Sequence, residues 1–382
     1  MSNAPPPGPA ASPFEQHLRD QVILPGRAYT FDMDDGPERA HLAKVGPFGQ
    51  ALEFLESGVQ GEYAKADADA SAHQRVHRWL ARCSIVSGAL AVMLAIIQQA
   101  VARTIPQWAG FAAVLEGIAA LAGLVAVCFG LYVKHDKRWF VHRHVAERLR
   151  MIKFLALGQA DLWAGQVQEW KSWVEARVAD VVKIRKLDPS KQFEEVKDWA
   201  KSGEAEPVEP VPPVEPSVAP DILRAGATYY QWKRVEYQAR YFETQAGKLR
   251  KQVGPLHHWG VWFFFGASLA VLVHLFADWR AAATAGAVHE VWHFVGVWGL
   301  AAAALLPVVN LSRRVWIGAF ELVHSASLFE AKQRALKALS AQLHRDCENL
   351  PATMHHIAHV EHFLEHEHRE WLRLLLEAEW FL

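Results

Sequence analysis

Four long apolar runs constrain this chain more than any other feature: Cys83 to Ala102, Phe111 to Val133, Trp259 to Trp279 and Val291 to Leu311. Each has about the 20 residues that a helix needs to cross ~30 Å of hydrocarbon. A backbone in hydrocarbon must satisfy its own hydrogen bonds, so runs of this length are read as helices. The mean hydropathy is near zero and the net charge is −1. Those averages would suit a soluble protein, but they hide the segregation of apolar blocks from charged ones. Several of the 16 tryptophans (Trp108, Trp259, Trp262, Trp279 and Trp292) stand at run ends, as in an interfacial belt.

The basic residues predict the orientation. Arg75, Arg78 and Arg82 precede the first run, and Lys134, Lys137, Arg138 and Arg143 follow the second. Lys248, Arg250 and Lys251 precede the third, and Arg313 and Arg314 follow the fourth. The two hairpin turns carry only Arg103 and Arg280. The positive-inside rule then puts both termini and the central segment in the cytoplasm. Met1 to Ser12 has no apolar signal region, so no cleavage is expected and the first run serves as the insertion signal. The three cysteines form no CxxC spacing and are expected to be reduced and structural.

The two hairpins have the spacing of a duplication, the alternative being a common design that the bilayer imposes on both. The first and third runs start 176 positions apart and the second and fourth 180. Arg138-Trp139 closes one hairpin and Arg314-Val315-Trp316 the other. Between them, residues 203–220 alternate Pro and Glu and read as an extended linker. The expected division is an N-terminal segment (1–43), a first two-span unit with stalk helices (44–202), the linker (203–220), a second two-span unit (221–347) and a His-rich C-terminal helix (348–382).

Outside the runs, apolar residues recur at helical spacing. Phe48, Leu52, Leu55, Val59 and Tyr63 form one stripe. Leu149, Ile152, Ala156, Trp163, Val167, Trp170, Val174, Val181 and Ile184 form a second, and Trp232, Val235, Ala239, Phe242, Ala246, Leu249 and Val253 a third. Nothing breaks the helix between the second run and its stripe, although Gly158 and Gly165 allow a break within the stripe, whereas Gly254-Pro255 predicts an interruption just before the third run. Strand-like sequence is confined to a few residues such as Ala28 to Phe31. The fold class expected is an all-α membrane protein, with four transmembrane helices in two hairpins and long cytoplasmic amphipathic or coiled-coil helices.

Ionisable residues inside membrane runs mark functional positions by default. Glu116, His274 and His293 are of this kind, and Gln98 and Gln99 lie near the outer end of the first run. At similar depth they read as a polar layer that could line a pore or hold a Glu–His pair; the competing reading is that they reach interfacial water. Gly117, Gly123, Gly130, Gly296, Gly299 and the Ala301 to Ala304 run allow close helix approach.

In the C-terminal segment His355, His359, His362 and His366 share one helical face. His pairs four apart can hold zinc. No HExxH motif is present, however, and Glu361, Glu365 and Glu367 are at hand to pair with the imidazoles, so a solvated or packed face is the expectation there. No P-loop, dinucleotide fingerprint or nucleophile elbow occurs, so neither an enzyme nor a cofactor is expected.

The run Trp139-Phe-Val-His-Arg-His-Val-Ala-Glu147-Arg-Leu-Arg150, directly after a two-helix hairpin, resembles the SLATT domains, bacterial two-transmembrane effector modules associated with nucleotide-signalling genes. Tyr229 to Lys248 resembles the segment that leads into such hairpins. The resemblance covers roughly residues 62–154 and 228–343; the second unit keeps Trp316 but lacks the Ala-Glu-x-Leu-Arg run. It implies an inner-membrane effector of bacterial conflict systems that forms an oligomeric pore or channel in response to a cytoplasmic sensor protein or nucleotide signal. The partners expected are the lipid bilayer, further copies of the chain and that sensor or signal, with no nucleic acid. The alternative is a non-conducting scaffold that recruits a soluble partner. A transporter is a weaker third, because four spans leave little room for a midplane site.

Overall fold

The computed structural model describes residue 16 and residues 45–202, 218–319 and 322–377. Every regular element among them is helical, and four stretches are long and apolar enough to cross a membrane: Pro47–Thr104, Pro106–Val133, Trp259–Ala282 and Ala287–Ile317. The chain is thus an all-α protein with four candidate membrane-spanning helices. Only 6% to 22% of the most apolar window in each is buried, so large side chains such as Phe111, Leu121, Phe264 and Leu272 point outward, as lipid-facing groups do.

The helices run in order as α1 (Pro47–Leu55), α2 (Gly61–Thr104), α3 (Ala109–Val133), α4 (His135–Gly158), α5 (Ala160–Gly165), α6 (Val167–Lys186), α7 (Pro189–Lys201), α8 (Pro220–Tyr230), α9 (Tyr237–Ala282), α10 (Ala287–Ala319), α11 (Leu322–Asp346) and α12 (Leu350–Glu377). Proline stands in the first turn of α1, α7 and α8, where its missing N–H is not needed. Asn349 caps α12, its Oδ1 accepting from the Ala352 N–H at 3.1 Å.

Two wide π turns, Glu56–Gln60 and Gln231–Glu236, join α1 to α2 and α8 to α9. They sit at matching places in the two halves. Phe48, Leu52 and Leu55 before the first turn correspond to Leu223, Ala227 and Tyr230 before the second. Val59, Tyr63, Ala66 and Ala70 correspond to Val235, Ala239, Phe242 and Ala246, and all fourteen are buried. The second turn holds six residues against five, which absorbs the one-residue change of register. A π turn inserted at the same place in both halves accords with the duplication read from the hairpin spacing.

Packing divides the chain across these halves. One compact unit gathers Met1–His73, Asp136–Thr244 and Phe329–Glu379, taken over the described residues; we term it the core unit. The other, the span unit, gathers Gln74–His135, Gln245–Leu328 and Trp380–Leu382. The core unit is built on Phe48, Leu52, Leu55, Leu149, Phe154, Trp170, Tyr229, Tyr230, Leu336 and Leu343, all essentially inaccessible. Trp170 donates its indole N–H to the Ala156 carbonyl at 3.0 Å, satisfying the polar end of a large buried ring. A smaller cluster sets Phe140, Val141, Val196, Ala200 and Leu372 together, with Trp139 edge-on to Trp371 at 5.8 Å.

Some sequence expectations are corrected. The second run does not continue into its stripe: Lys134 adopts a left-handed conformation (φ 54°) and separates α3 from α4. Within the stripe the helix breaks directly after Gly158 and Gly165, the two places where a break was expected, while Val167 of the stripe is exposed rather than buried. Conversely, α9 passes through Gly254-Pro255 without interruption. A proline removes one ladder hydrogen bond, and the long helical stretches on both sides hold the remainder. Pro220, assigned to the linker, is the first residue of α8. Residues 203–217 of the linker and the strand-like Ala28 to Phe31 lie outside the described residues.

Candidate functional site

In the span unit the helices of each hairpin meet through small residues. On α3, Ala112, Ala119, Gly123, Ala126 and Gly130 are buried. A Cβ on Gly123 would lie 3.4 Å from the Ser87 Cβ and 3.5 Å from the Gly88 nitrogen. On α10, a Cβ on Gly299 would lie 3.1 Å from the His274 backbone nitrogen and 3.3 Å from the Ala270 carbonyl oxygen. Gly117 does not share this role, for nothing lies within 4 Å of where its Cβ would be.

His274, on α9, is half-buried against α10. Its Nδ1 lies 3.0 Å from the Gly296 carbonyl oxygen and its Nε2 3.6 Å from Asp278 Oδ2. An N–H at Nδ1 therefore donates to Gly296, leaving Nε2 to face Asp278. A Cβ on Gly296 would fall 2.6 Å from Asp278 Oδ1, so Asp278 would have to turn away from His274 to admit one. Sequence reasoning passed over Asp278 because it adjoins Trp279 at the run's end; the signal was a His and an Asp four apart. His293 is exposed and stacks at 6.3 Å on His289, whose Nδ1 lies 2.9 Å from the Ala281 carbonyl oxygen.

Glu116 stands apart from this cluster. It is half-buried on α3, and no hydrogen bond or ion pair joins it to His274, His293 or any other side chain among the described residues. Gln98 is half-buried and Gln99 exposed, both on α2. The structure therefore brings His274 to Asp278 and Gly296 and His293 to His289, and leaves Glu116 alone.

Residues 62–160 match the DUF4231 family, described as a protein of unknown function. The match spans α2, α3 and α4 but not the second hairpin. No curated protein and no solved structure matches the chain.

The matched segment carries charges into the core unit. Glu147 accepts from Arg150 at 3.1 Å and pairs with Arg143 at 2.5 Å, and Arg150 also donates to the Tyr63 hydroxyl. Burial alone would raise the Glu147 carboxyl, but Arg143 and Arg150 hold it down at about 2. Burial raises the Tyr63 phenol, with Arg150 opposing. Glu147 and Arg150 of the Trp139–Arg150 run are thus paired with each other inside the fold.

A second buried network lies within the second half of the sequence. Arg234, in the second π turn, donates from Nε and Nη2 to Glu361 Oε1 and Oε2 at 2.8 and 2.7 Å. The Tyr230 hydroxyl donates to Glu361 Oε1 at 2.9 Å. Burial opposes the charge on Arg234, and Glu361 more than offsets it, raising its pKa. Burial and Glu361 push the Tyr230 phenol well above its ordinary value. Nearby, His144 Nδ1 and His368 Nε2 lie 3.3 Å apart, and both rings pack on Trp199. Burial depresses both histidines, His368 to about 3.

These contacts correct the expectation that the glutamates of α12 pair with its histidines. Glu361 is held by Arg234, Glu365 accepts from Arg369 Nη2 at 2.7 Å, and Glu367 pairs with Lys332, which burial lowers to about 8. His355, His359, His362 and His366 remain on the exposed face. No group of three metal-binding side chains stands together among the described residues.

Proposed function

We propose that the chain is a SLATT-like effector of the bacterial inner membrane, with both termini cytoplasmic, that assembles into a homo-oligomeric pore or ion channel. On this reading it serves a defence or nucleotide-signalling system and is gated through its cytoplasmic helices, with no catalytic step. Glu116 carries the proposal. A carboxylate at the centre of a membrane helix costs ~2.5–3.5 kcal/mol, less towards the interface, unless water or a partner satisfies it. A single copy of the chain gives Glu116 no partner among the described residues. A water-filled lumen between copies supplies one. The gating part of the reading rests on what the resemblance implies, control by a cytoplasmic sensor protein or nucleotide signal.

The scaffold reading keeps one observation in its favour. The small residues at positions 123, 130, 296 and 299 are buried within the hairpins, so they are not free for packing between subunits. Ion efflux from liposomes carrying the purified full chain, with its activating partner supplied, separates the two. Efflux that rises with protein density supports the pore; a correctly inserted protein that never passes ions supports the scaffold.

A further inference from the structure

Six histidines lie on α12, and their surroundings divide them into two sets. His356 is committed to Asp346 Oδ2 at 2.7 Å, and His368 is buried against His144. His355, His359, His362 and His366 are exposed, and no hydrogen bond or ion pair holds any of them among the described residues. The acidic side chains that could neutralise them point elsewhere: Glu361 to Arg234, Glu365 to Arg369, Glu367 to Lys332 and Glu370 to Arg373. The outer face of α12 thus offers imidazole nitrogens with no carboxylate set against them.

We propose that this face is a binding site for divalent transition-metal ions of the zinc, copper and nickel class, chelated by the pairs His355–His359 and His362–His366. Residues four apart stand one turn apart on the same face of a helix, so one ion can bridge them. The rings of His355 and His359 already lie 6.3 Å apart between centroids. Exposed side chains are free to rotate by the small amount that brings two nitrogens to ~2.0–2.1 Å from one ion. Neutral imidazole is the common ligand of these metals, and water fills the remaining positions. Hard cations such as Ca²⁺ and Mg²⁺ prefer oxygen ligands and find none here.

The test is isothermal titration of ZnCl₂ into the full-length, tag-free protein in detergent, beside the double variant His359→Ala, His362→Ala. That variant leaves His355 and His366, eleven residues or ~16 Å apart along the axis, too far to share an ion. Wild type should bind Zn²⁺ saturably, the variant at least about tenfold more weakly, and CaCl₂ should give no saturable heat with either. Both positions are exposed, and equal helical circular dichroism checks that the fold is kept. Saturable Zn²⁺ binding of equal strength in the variant, or none in wild type, overturns the proposal.

Discussion

Glu361 of α12 is fully buried against Arg234 of the second π turn, each guanidinium contact 2.8 Å or shorter. The pair ties α12 to the segment that leads into the third span. Removing one partner strands a buried charge, which costs about 3–5 kcal/mol, whereas replacing both with apolar groups is often neutral. Glu361→Ala should therefore lower the thermal unfolding midpoint of the purified protein sharply, and Arg234→Met with Glu361→Leu should recover most of the loss. A double variant no more stable than the single one would show that the pair is not an isolated ionic lock.

Acid should loosen the core unit before it protonates the carboxylates. His144 and His368 are neutral in the fold, with pKa values depressed below the unfolded value of 6.5 by burial. Their contribution is complete above pH 6.5 and is lost as pH falls below it, for His368 down to about 3, because the unfolded chain binds protons that the fold refuses. The slope is at most about 1.4 kcal/mol per pH unit for each histidine. Glu147, at about 2 against 4.5, adds a second loss between pH 4.5 and 2. Unfolding midpoints measured from pH 7.5 to 5 should fall, and His368→Gln should flatten that fall.

Glycines in the spans should divide by neighbour. Gly299→Val pushes a side chain into the backbone of α9 and should reduce the yield of folded, detergent-stable protein. Gly117→Ala meets open space and should be neutral or stabilising, by up to about 1 kcal/mol of helix propensity. Size-exclusion profiles after graded heating would rank the two against wild type.

The fold was legible because span length and hydropathy do not depend on tertiary context. The four runs and the stripe from Phe48 to Tyr63 needed only period and composition. Lys134 shows what sequence could not supply: a break made by one non-glycine residue in the left-handed region leaves no signature. The membrane polar positions were visible as lone charges in apolar runs, but their partners were not. His274 and Asp278 are one turn apart and could have been paired; Glu361 and Arg234 are far apart in sequence and on different helices. Spacing on one helix cannot show which of its faces turns inward, so the glutamates of α12 were matched with the wrong partners.

The central claim is that Glu116 faces water in a conducting assembly. Its most direct test is the reversal potential of the activated full chain in planar bilayers under a KCl gradient, for wild type and Glu116→Gln. The account predicts cation preference in wild type and a reversal potential moved towards zero in the variant, with expression and oligomer size unchanged. A conducting wild type whose reversal potential and unitary current are both reproduced by Glu116→Gln would contradict it.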